Sequence, residues 1–185
     1  MATTTRLTAA EYLAEEEDGR RTELIDGEVI VHEPKWWHQR ILGLLYARLL
    51  AWIEAAPGRG TVTLPLDVGI DEYTVLAPDV LWFREGRDPR PSGAQELPDL
   101  AVEIRSPTTW RYDVGRKKSA YEREGLSELW LVDLGAVLVY RRSGASASGF
   151  DVELELAPSD RLGSPFLLGF GLELRELYEE AWAAP

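Results

Sequence analysis

Two carboxylates stand inside otherwise apolar segments of this sequence. Asp79 directly precedes the apolar run 80–83, and Glu103 lies within the apolar run 100–104. A carboxylate in a buried strand is costly unless it is paired, hydrogen-bonded or bound to a cation. Two adjacent strands with one acid each could share a divalent metal, and such oxygen ligands suit Mg²⁺ or Mn²⁺. These residues alone fit structural roles equally well, with Asp79 capping a turn and Glu103 paired with Arg105 on the same strand face.

A basic cluster follows these strands. The sequence predicts a helix over 113–124 with Gly125 as its C-cap, and Arg116, Lys117 and Lys118 lie near its start. Cations at a helix start oppose the macrodipole preference, so helix stability does not explain the cluster. An anionic neighbour would explain it, either the strand carboxylates or a phosphate. Taken individually, Arg116 and Lys118 are better explained as solvated surface residues.

The rest of the chain must position these side chains. A capping box from Thr8 to Glu11 predicts a short N-terminal helix, and Asp26-Gly27 predicts a peripheral hairpin between 21–25 and 28–32. Apolar residues at helical spacing predict the longest helix from Trp36 to about residue 55. Further strands are predicted at 60–68, 74–84, 100–105, 128–133, 136–141 and 150–156. The resulting order is helix, three strands, helix, strand.

Composition narrows the class of protein. The 185 residues, of which 45% are hydrophobic, predict one domain over 1–185 with a sizeable core. There is no cysteine, which excludes disulfides, thiolate metal sites and cysteine nucleophiles. Neither a signal peptide nor a membrane-length apolar run is present, so a cytoplasmic location without membrane association is expected. The net charge of −12 argues against a general nucleic-acid coat.

Several short motifs follow one another across nearly the whole chain. They are Glu23–Glu28, His38-Gln39, Pro78–Val80, Val102–Ile104, Ser106–Thr109, the spacing of Asp113, Lys117 and Tyr121, Gly125–Asp133 and Leu167–Phe170. None is specific alone, but together they resemble the putative restriction endonuclease family. That family is a bacterial branch of the PD-(D/E)XK nuclease superfamily.

The resemblance implies a mixed α/β (α+β) restriction-endonuclease-like fold. Its core is helix, three strands, helix, strand, here with an N-terminal helix and hairpin and extra C-terminal strands. Asp79 and Glu103 would be the metal ligands for Mg²⁺ or Mn²⁺. The expected lysine two residues after the glutamate is Arg105 here, and in this branch the following helix supplies the lysine, as Lys117. Arg105 is the competing candidate, and Glu23 matches a further acid of the site.

The implied activity is metal-assisted hydrolysis of DNA phosphodiester bonds. Lys117 would orient or deprotonate the attacking water, or stabilise the transition state electrostatically. A homodimer is the general expectation for soluble oligomers. The alternative is a non-catalytic interaction or regulatory module, which the acidic surface favours. Trp36, Trp37 and Trp110 flank the site and could stack on bases or pack an interface, whereas His38 is better explained as a cap or packing residue.

Overall fold

Five helices contribute to the fold of residues 6–15 and 19–183, which the computed structural model describes. They are Ala9–Ala14 (α1), Trp36–Glu54 (α2), Trp110–Tyr112 (α3), Lys118–Glu124 (α4) and Leu174–Trp182 (α5). A π-helical segment, Asp113–Lys117, joins α3 to α4. In this part of the chain no helix is long and apolar enough to cross a membrane.

The strands form three sheets. In chain order they are Thr22–Ile25 (β1), Glu28–Val31 (β2), Thr61–Thr63 (β3), Val68–Asp71 (β4), Thr74–Leu76 (β5), Val80–Phe83 (β6), Leu100–Ile104 (β7), Glu128–Val132 (β8), Val137–Arg141 (β9), Val152–Leu156 (β10), Arg161–Leu162 (β11) and Leu172–Glu173 (β12). The central sheet has six strands in the order β10-β9-β8-β7-β6-β3. A four-stranded sheet has the order β2-β1-β5-β4, and β11 pairs with β12.

The central sheet confirms the predicted core. Strands β3, β6 and β7 pair antiparallel in sequence, whereas β7 and β8 pair parallel. A parallel pair needs a crossover connection, which α3, the π-helical segment and α4 supply. With α2 before β3, the order helix, three strands, helix, strand is therefore present. Strands β9 and β10 extend the sheet antiparallel beyond β8, as the predicted C-terminal strands require.

Strand alternation divides the core between the two faces of the central sheet. On β7, Val102 packs in one apolar cluster with Leu45 of α2 and Leu177 of α5. Ala101 packs in a second cluster with Tyr121 of α4. Since successive strand residues point to opposite faces, Glu103 shares the face of Ala101 and is directed toward α4. Glu103 therefore lies between the central sheet and the helix of the β7–β8 crossover.

Two predicted strands are each divided in the structure. The predicted strand 74–84 breaks after Leu76, so that β5 joins the four-stranded sheet and β6 joins the central one. The break contains Pro78, which lacks an N–H for a sheet ladder. The predicted strand 60–68 likewise breaks around Pro65, leaving the short β3 and the separate β4. The divided segment at Pro78 brings Asp79 to the end of the central sheet.

Two predicted helix and turn features are confirmed at the N-terminus. Thr8 and Glu11 form the reciprocal capping box at the start of α1. The Asp26-Gly27 turn joins β1 to β2 with φ of 54° and 79° at its two residues, the left-handed values that a two-residue hairpin turn needs.

The C-terminal helix α5 was not anticipated from the sequence. Its buried residues follow helical spacing at Leu174, Leu177, Tyr178 and Ala181, and this period was the available signal. Its N-cap, Glu173, makes no side-chain capping hydrogen bond. The usual start signal was therefore missing, and the predicted C-terminal strands account for β9 and β10 only.

Candidate active site

Asp79 and Glu103 lie opposite each other at one end of the central sheet. Strands β6 and β7 pair antiparallel with Val80 opposite Val102, so the next pair in this register is Asp79 opposite Glu103. Directly opposed residues have Cβ atoms about 5 Å apart. The amide of Ile104 donates to Asp79 Oδ2 at 2.7 Å, which ties the two strand ends together. Both acids are buried.

Two basic side chains complete the surroundings of Asp79. His38 Nε2, from α2, lies 3.2 Å from Oδ2, and Arg21 Nη1 lies 3.0 Å from Oδ1. A carboxylate oxygen can only accept, so Nε2 is the protonated nitrogen of His38. Burial alone would raise the pKa of Asp79, but His38, Arg21 and the Ile104 amide together hold this pKa below its usual range. Asp79 is therefore an anion at neutral pH.

Lys117 lies among three carboxylates and is fully buried. Its Nζ is 2.7 Å from Glu103 Oε1, 3.0 Å from Glu23 Oε1 and 3.1 Å from Asp113 Oδ1. Tyr121, one turn further along the helix, donates to the same Glu103 Oε1 at 2.7 Å. The sequence spacing of Asp113, Lys117 and Tyr121 therefore does bring all three side chains to one place.

Lys117 is the last residue of the π-helical segment. Helix α3 begins at Trp110, so Lys117 lies seven positions inside the helical stretch rather than in its first turn. The argument from the helix macrodipole is therefore wrong for Lys117, and its buried carboxylate partners explain its position instead. π-helical turns are rare in proteins, and those that occur are often found at functional sites. Gly125 ends α4 with a left-handed φ of 90°, as predicted.

Glu23 belongs to the centre of the site, and the prediction of a peripheral hairpin is wrong in this respect. The Ala77 amide donates to Glu23 Oε1 at 2.6 Å, and His32 Nε2 lies 2.6 Å from Oε2. Lys117 Nζ also donates to Oε2 at 3.1 Å. The hairpin thus carries Glu23 against the end of the central sheet, where it is held by three different elements.

Burial and charge together set the ionisation of the site. Burial raises the pKa of Glu103 well above its usual range; Lys117 opposes this shift, and the neighbouring acids add to it. Burial also raises the pKa of Asp113. Burial alone would lower the pKa of Lys117, but the carboxylates of Asp113, Glu103 and Glu23 outweigh it and raise this pKa well above its usual range. Lys117 is therefore a permanent cation.

Arg105 lies outside this arrangement, although the sequence made it the competitor of Lys117. Strand β7 ends at Ile104, and Arg105 Nη1 donates to both oxygens of Asp133 at 2.8 and 2.9 Å. The side chain of Arg105 is 41% exposed. Glu103 consequently pairs with Lys117 and not with Arg105, so the structural pairing considered from the sequence is wrong.

The other predicted flanking residues divide in the same way. His38 is not a helix cap, because Lys35 occupies the N-cap position of α2, and it contacts Asp79 directly. Trp36 is 54% exposed and lies about 200° around the helix from His38, which turns it away from the acids. Trp110 lies against the guanidinium of Arg105, at 5.7 Å from its ring centre. Trp37 packs against the rings of His38 and Trp182.

Sequence reasoning missed three residues of the site. Arg21 pairs with Asp79, and His32 contacts Glu23 from nine residues further along the chain. Asp113 pairs with Lys117 one helical turn away. Asp113 was noted for its spacing alone. A signal was available for it, because Asp113 and Lys117 are four residues apart and can pair on one helix face. Nothing in the local sequence could have indicated Arg21 or His32.

The donor set fits one divalent cation. We define the charge cluster as Arg21, Glu23, Asp79, Glu103, Asp113 and Lys117. With all four carboxylates ionised, the charge cluster has two more negative than positive charges, and one divalent ion would neutralise this excess. Among the described residues no group of three or more acids, histidines or cysteines could hold a metal ion. Two carboxylates are nevertheless what Mg²⁺ uses when water and phosphate oxygens fill its other positions.

This sheet, its crossover helix and the paired acids at its end define the restriction-endonuclease-like class. The model of the Uma2 family, described as putative restriction endonuclease, matches residues 9–175, and the chain belongs to this family. The fold is similar to the crystal structure of a putative nuclease belonging to DUF820 from Anabaena variabilis ATCC 29413. The TM-score is 0.78 at 20% identity, over 95% of this chain and 99% of that chain. No curated protein gives a significant match.

Proposed function

We propose that this protein is an endonuclease that hydrolyses DNA phosphodiester bonds with the help of a divalent metal. The observation that carries the proposal is the meeting of Lys117 with Glu103 directly opposite Asp79 in the sheet register. Two acids and one buried cation at a strand end can hold a metal ion and stabilise the charge that develops during phosphodiester hydrolysis. Membership of a family described as putative restriction endonuclease supports the same reaction class.

Asp79 and Glu103 would hold Mg²⁺ or Mn²⁺. When bound, such a cation would polarise a phosphate and lower the pKa of a nearby water molecule. The two carboxyl groups differ in pKa, and this difference affects how each would bind the metal. Asp79 is an anion that needs no deprotonation, whereas the raised pKa of Glu103 means that metal competes there with a proton.

Lys117 acts in this proposal as an electrostatic catalyst. Because its pKa is raised well above the usual range, it cannot accept a proton from water near neutral pH. The role of general base, considered from the sequence, is therefore not supported. A fixed cation stabilises negative charge that develops on the phosphate in the transition state, and a position inside a low-dielectric site strengthens the effect.

Glu23 and Tyr121 act as positioning residues. Glu23 anchors Lys117 from the hairpin side and is itself anchored by the Ala77 amide and His32. Tyr121 donates to Glu103 and fixes the oxygen that also meets Lys117. Such fixed side chains limit the reorganisation that the reacting groups need during the reaction.

The acidic composition predicts weak binding to DNA. With a net charge of −12, the chain gains little from long-range attraction to the phosphate backbone. Affinity would therefore depend on contacts at the site itself and on the bound cation. A homodimer would bring two sites to the two strands of a duplex, and we include it in the proposal.

A plasmid-nicking assay tests the function. Wild-type protein and the Asp79→Asn variant are compared on supercoiled DNA with Mg²⁺, Mn²⁺ or Ca²⁺. We expect nicking with Mg²⁺ or Mn²⁺ and a loss of at least about 100-fold in the variant, because the fixed charge of a metal ligand is lost. The matched control is Asp133→Asn, the same change on an aspartate paired with Arg105 outside the charge cluster.

Two outcomes would contradict the proposal. If Asp79→Asn nicks DNA as fast as wild type, Asp79 is not a metal ligand of a nuclease site. If wild-type protein binds Ca²⁺ by calorimetry but cleaves neither plasmid nor single-stranded DNA, the fold serves as a non-catalytic module instead. Equal nicking by wild type and Asp133→Asn confirms that the loss is specific to the site.

A further inference from the structure

Among the described residues Asp79 has three partners, and one of them, Arg21, lies at the boundary of the site. The Ile104 amide belongs to the sheet, and His38 is a buried residue of α2. Arg21 is different, because 24% of its side chain is exposed. Of the three groups that bind Asp79, Arg21 is therefore the one that can leave without opening the core.

Arg21 also has donors to spare. Its Nη2 donates to the Ala77 carbonyl at 2.8 Å, and its Nη1 meets Asp79. Its Nε is buried without a hydrogen-bond partner among the described residues. A buried donor without a partner costs free energy. The guanidinium would therefore be more stable in an arrangement in which Nε also donated a hydrogen bond. An anion that offers two oxygens, such as a phosphodiester, would accept hydrogen bonds from more of the guanidinium N–H groups.

A cavity of about 620 Å³ adjoins Arg21. Its wall includes Tyr12, Arg20, Arg21, Asp67 and Ala77. Ala77 is two residues from Asp79 and its amide holds Glu23, so this wall is continuous with the charge cluster. The volume lies within the range of small-molecule sites, about 300–1,000 Å³, and is large enough to admit a nucleotide.

We propose that this cavity receives the substrate's phosphodiester and that Arg21 binds it there, after a divalent cation has replaced Arg21 on Asp79. The proposal rests on the proposed nuclease function and names the residue that couples metal binding to substrate binding. Before metal binds, Arg21 neutralises Asp79 and so competes with the metal. After metal binds, the guanidinium is free to pair with a phosphate oxygen in the adjoining cavity.

Calcium titration by calorimetry, without nucleic acid, tests the first half. In Arg21→Gln the competing charge is gone, and we expect Ca²⁺ to bind about tenfold more tightly than to wild type. Arg21→Lys keeps the charge, so its Ca²⁺ affinity should stay close to that of wild type. The control is Arg48→Gln, which removes an exposed arginine of α2 that pairs with Glu180 of α5, and it should leave both affinities unchanged.

Binding of a short fluorescent oligonucleotide in Ca²⁺ tests the second half, because Ca²⁺ can fill such a site without supporting turnover. Both Arg21→Gln and Arg21→Lys should bind the oligonucleotide at least about tenfold more weakly than wild type, since neither side chain offers the planar fork. Circular dichroism and the thermal midpoint of each variant establish that it is folded.

The results separate this inference from the nuclease function. Calcium affinity that is unchanged or weaker in Arg21→Gln, or absent from wild type and variant alike, would overturn the inference. So would oligonucleotide binding equal to wild type in both Arg21 variants. If these binding changes occur but wild type cleaves nothing in Mg²⁺ or Mn²⁺, the inference stands and the nuclease function fails. Cleavage by wild type with unchanged calcium affinity gives the reverse conclusion.

Discussion

Lys117 and Arg105 are two basic residues near the same glutamate, and their surroundings differ completely. Lys117 is fully buried and contacts three carboxylates, whereas the side chain of Arg105 is 41% exposed and pairs with the Asp133 carboxylate. An exposed ion pair is surrounded by water that screens it, but a buried cation depends entirely on its partners. Proximity in sequence to Glu103 therefore predicts little, and burial decides which base belongs to the site.

The same comparison explains why a lysine can be placed so far from the glutamate in the chain. Lys117 follows Glu103 by fourteen positions, but the parallel crossover returns its helix over the face of β7 that carries Glu103. Arg105, only two positions away, lies beyond the end of the strand. A basic residue can therefore reach Glu103 only from an element that covers the same face of the sheet, and the crossover helix is such an element.

The largest predicted effect is that of Lys117→Met. Removing this cation leaves Glu23, Glu103 and Asp113 buried without their shared partner, so we expect the free energy of unfolding to fall by about 3–5 kcal/mol. Urea unfolding measures it. Arg105→Gln serves as the control in the same experiment. Equal losses in the two variants would show that burial does not distinguish the two bases.

The second prediction concerns the pH dependence of stability. Because the folded-state pKa of Glu103 is raised, its contribution is fully present below the pKa of the unfolded chain and is lost as pH rises through the folded pKa. In Glu103→Gln this loss disappears, so the variant should gain on wild type by up to about 1.4 kcal/mol per pH unit within that window. The free energies of unfolding of wild type and Glu103→Gln are measured from pH 5 to 8 without divalent metal. A constant difference between the two proteins over this range would contradict the prediction.

The third prediction concerns the hydroxyl that fixes Glu103. Tyr121→Phe removes a 2.7 Å hydrogen bond and should cost about 1 kcal/mol. Tyr178→Phe, whose hydroxyl donates to the Asp133 and Ala136 carbonyls, should cost a similar amount. Only the Tyr121 variant should change calcium affinity, because only that hydroxyl touches a proposed metal ligand. A calcium affinity that shifts equally in both variants would speak against the assignment.

The smallest predicted effect is that of Arg105→Gln. An exposed arginine–aspartate pair contributes about 0–1 kcal/mol, and salt screens part of that contribution. The unfolding free energy should therefore fall by less than about 1 kcal/mol, and the difference from wild type should shrink in 1 M salt. A loss comparable to that of Lys117→Met would mean that Arg105 belongs to the site after all.

The local sequence carried enough information for the central elements but not for the contacts between them. Alternation and turn residues predicted β6, β7 and the Asp26-Gly27 hairpin, because those features depend on neighbours in sequence. The pairing of Lys117 with Glu23 joins residues 94 positions apart, and no local pattern encodes it. The family resemblance, rather than spacing, indicated Lys117 and Glu23 in advance, and Arg21 became visible only in the structure.

The most direct test of the account is Glu103→Gln, assayed for plasmid nicking and for stability on the same sample. The change keeps the shape of the side chain and replaces a carboxyl group, whose pKa is raised by burial, with a neutral amide. We predict a fold at least as stable as wild type at pH 7 and nicking reduced by at least about 100-fold in Mg²⁺ or Mn²⁺. A folded Glu103→Gln protein that nicks DNA as fast as wild type would contradict the central claim.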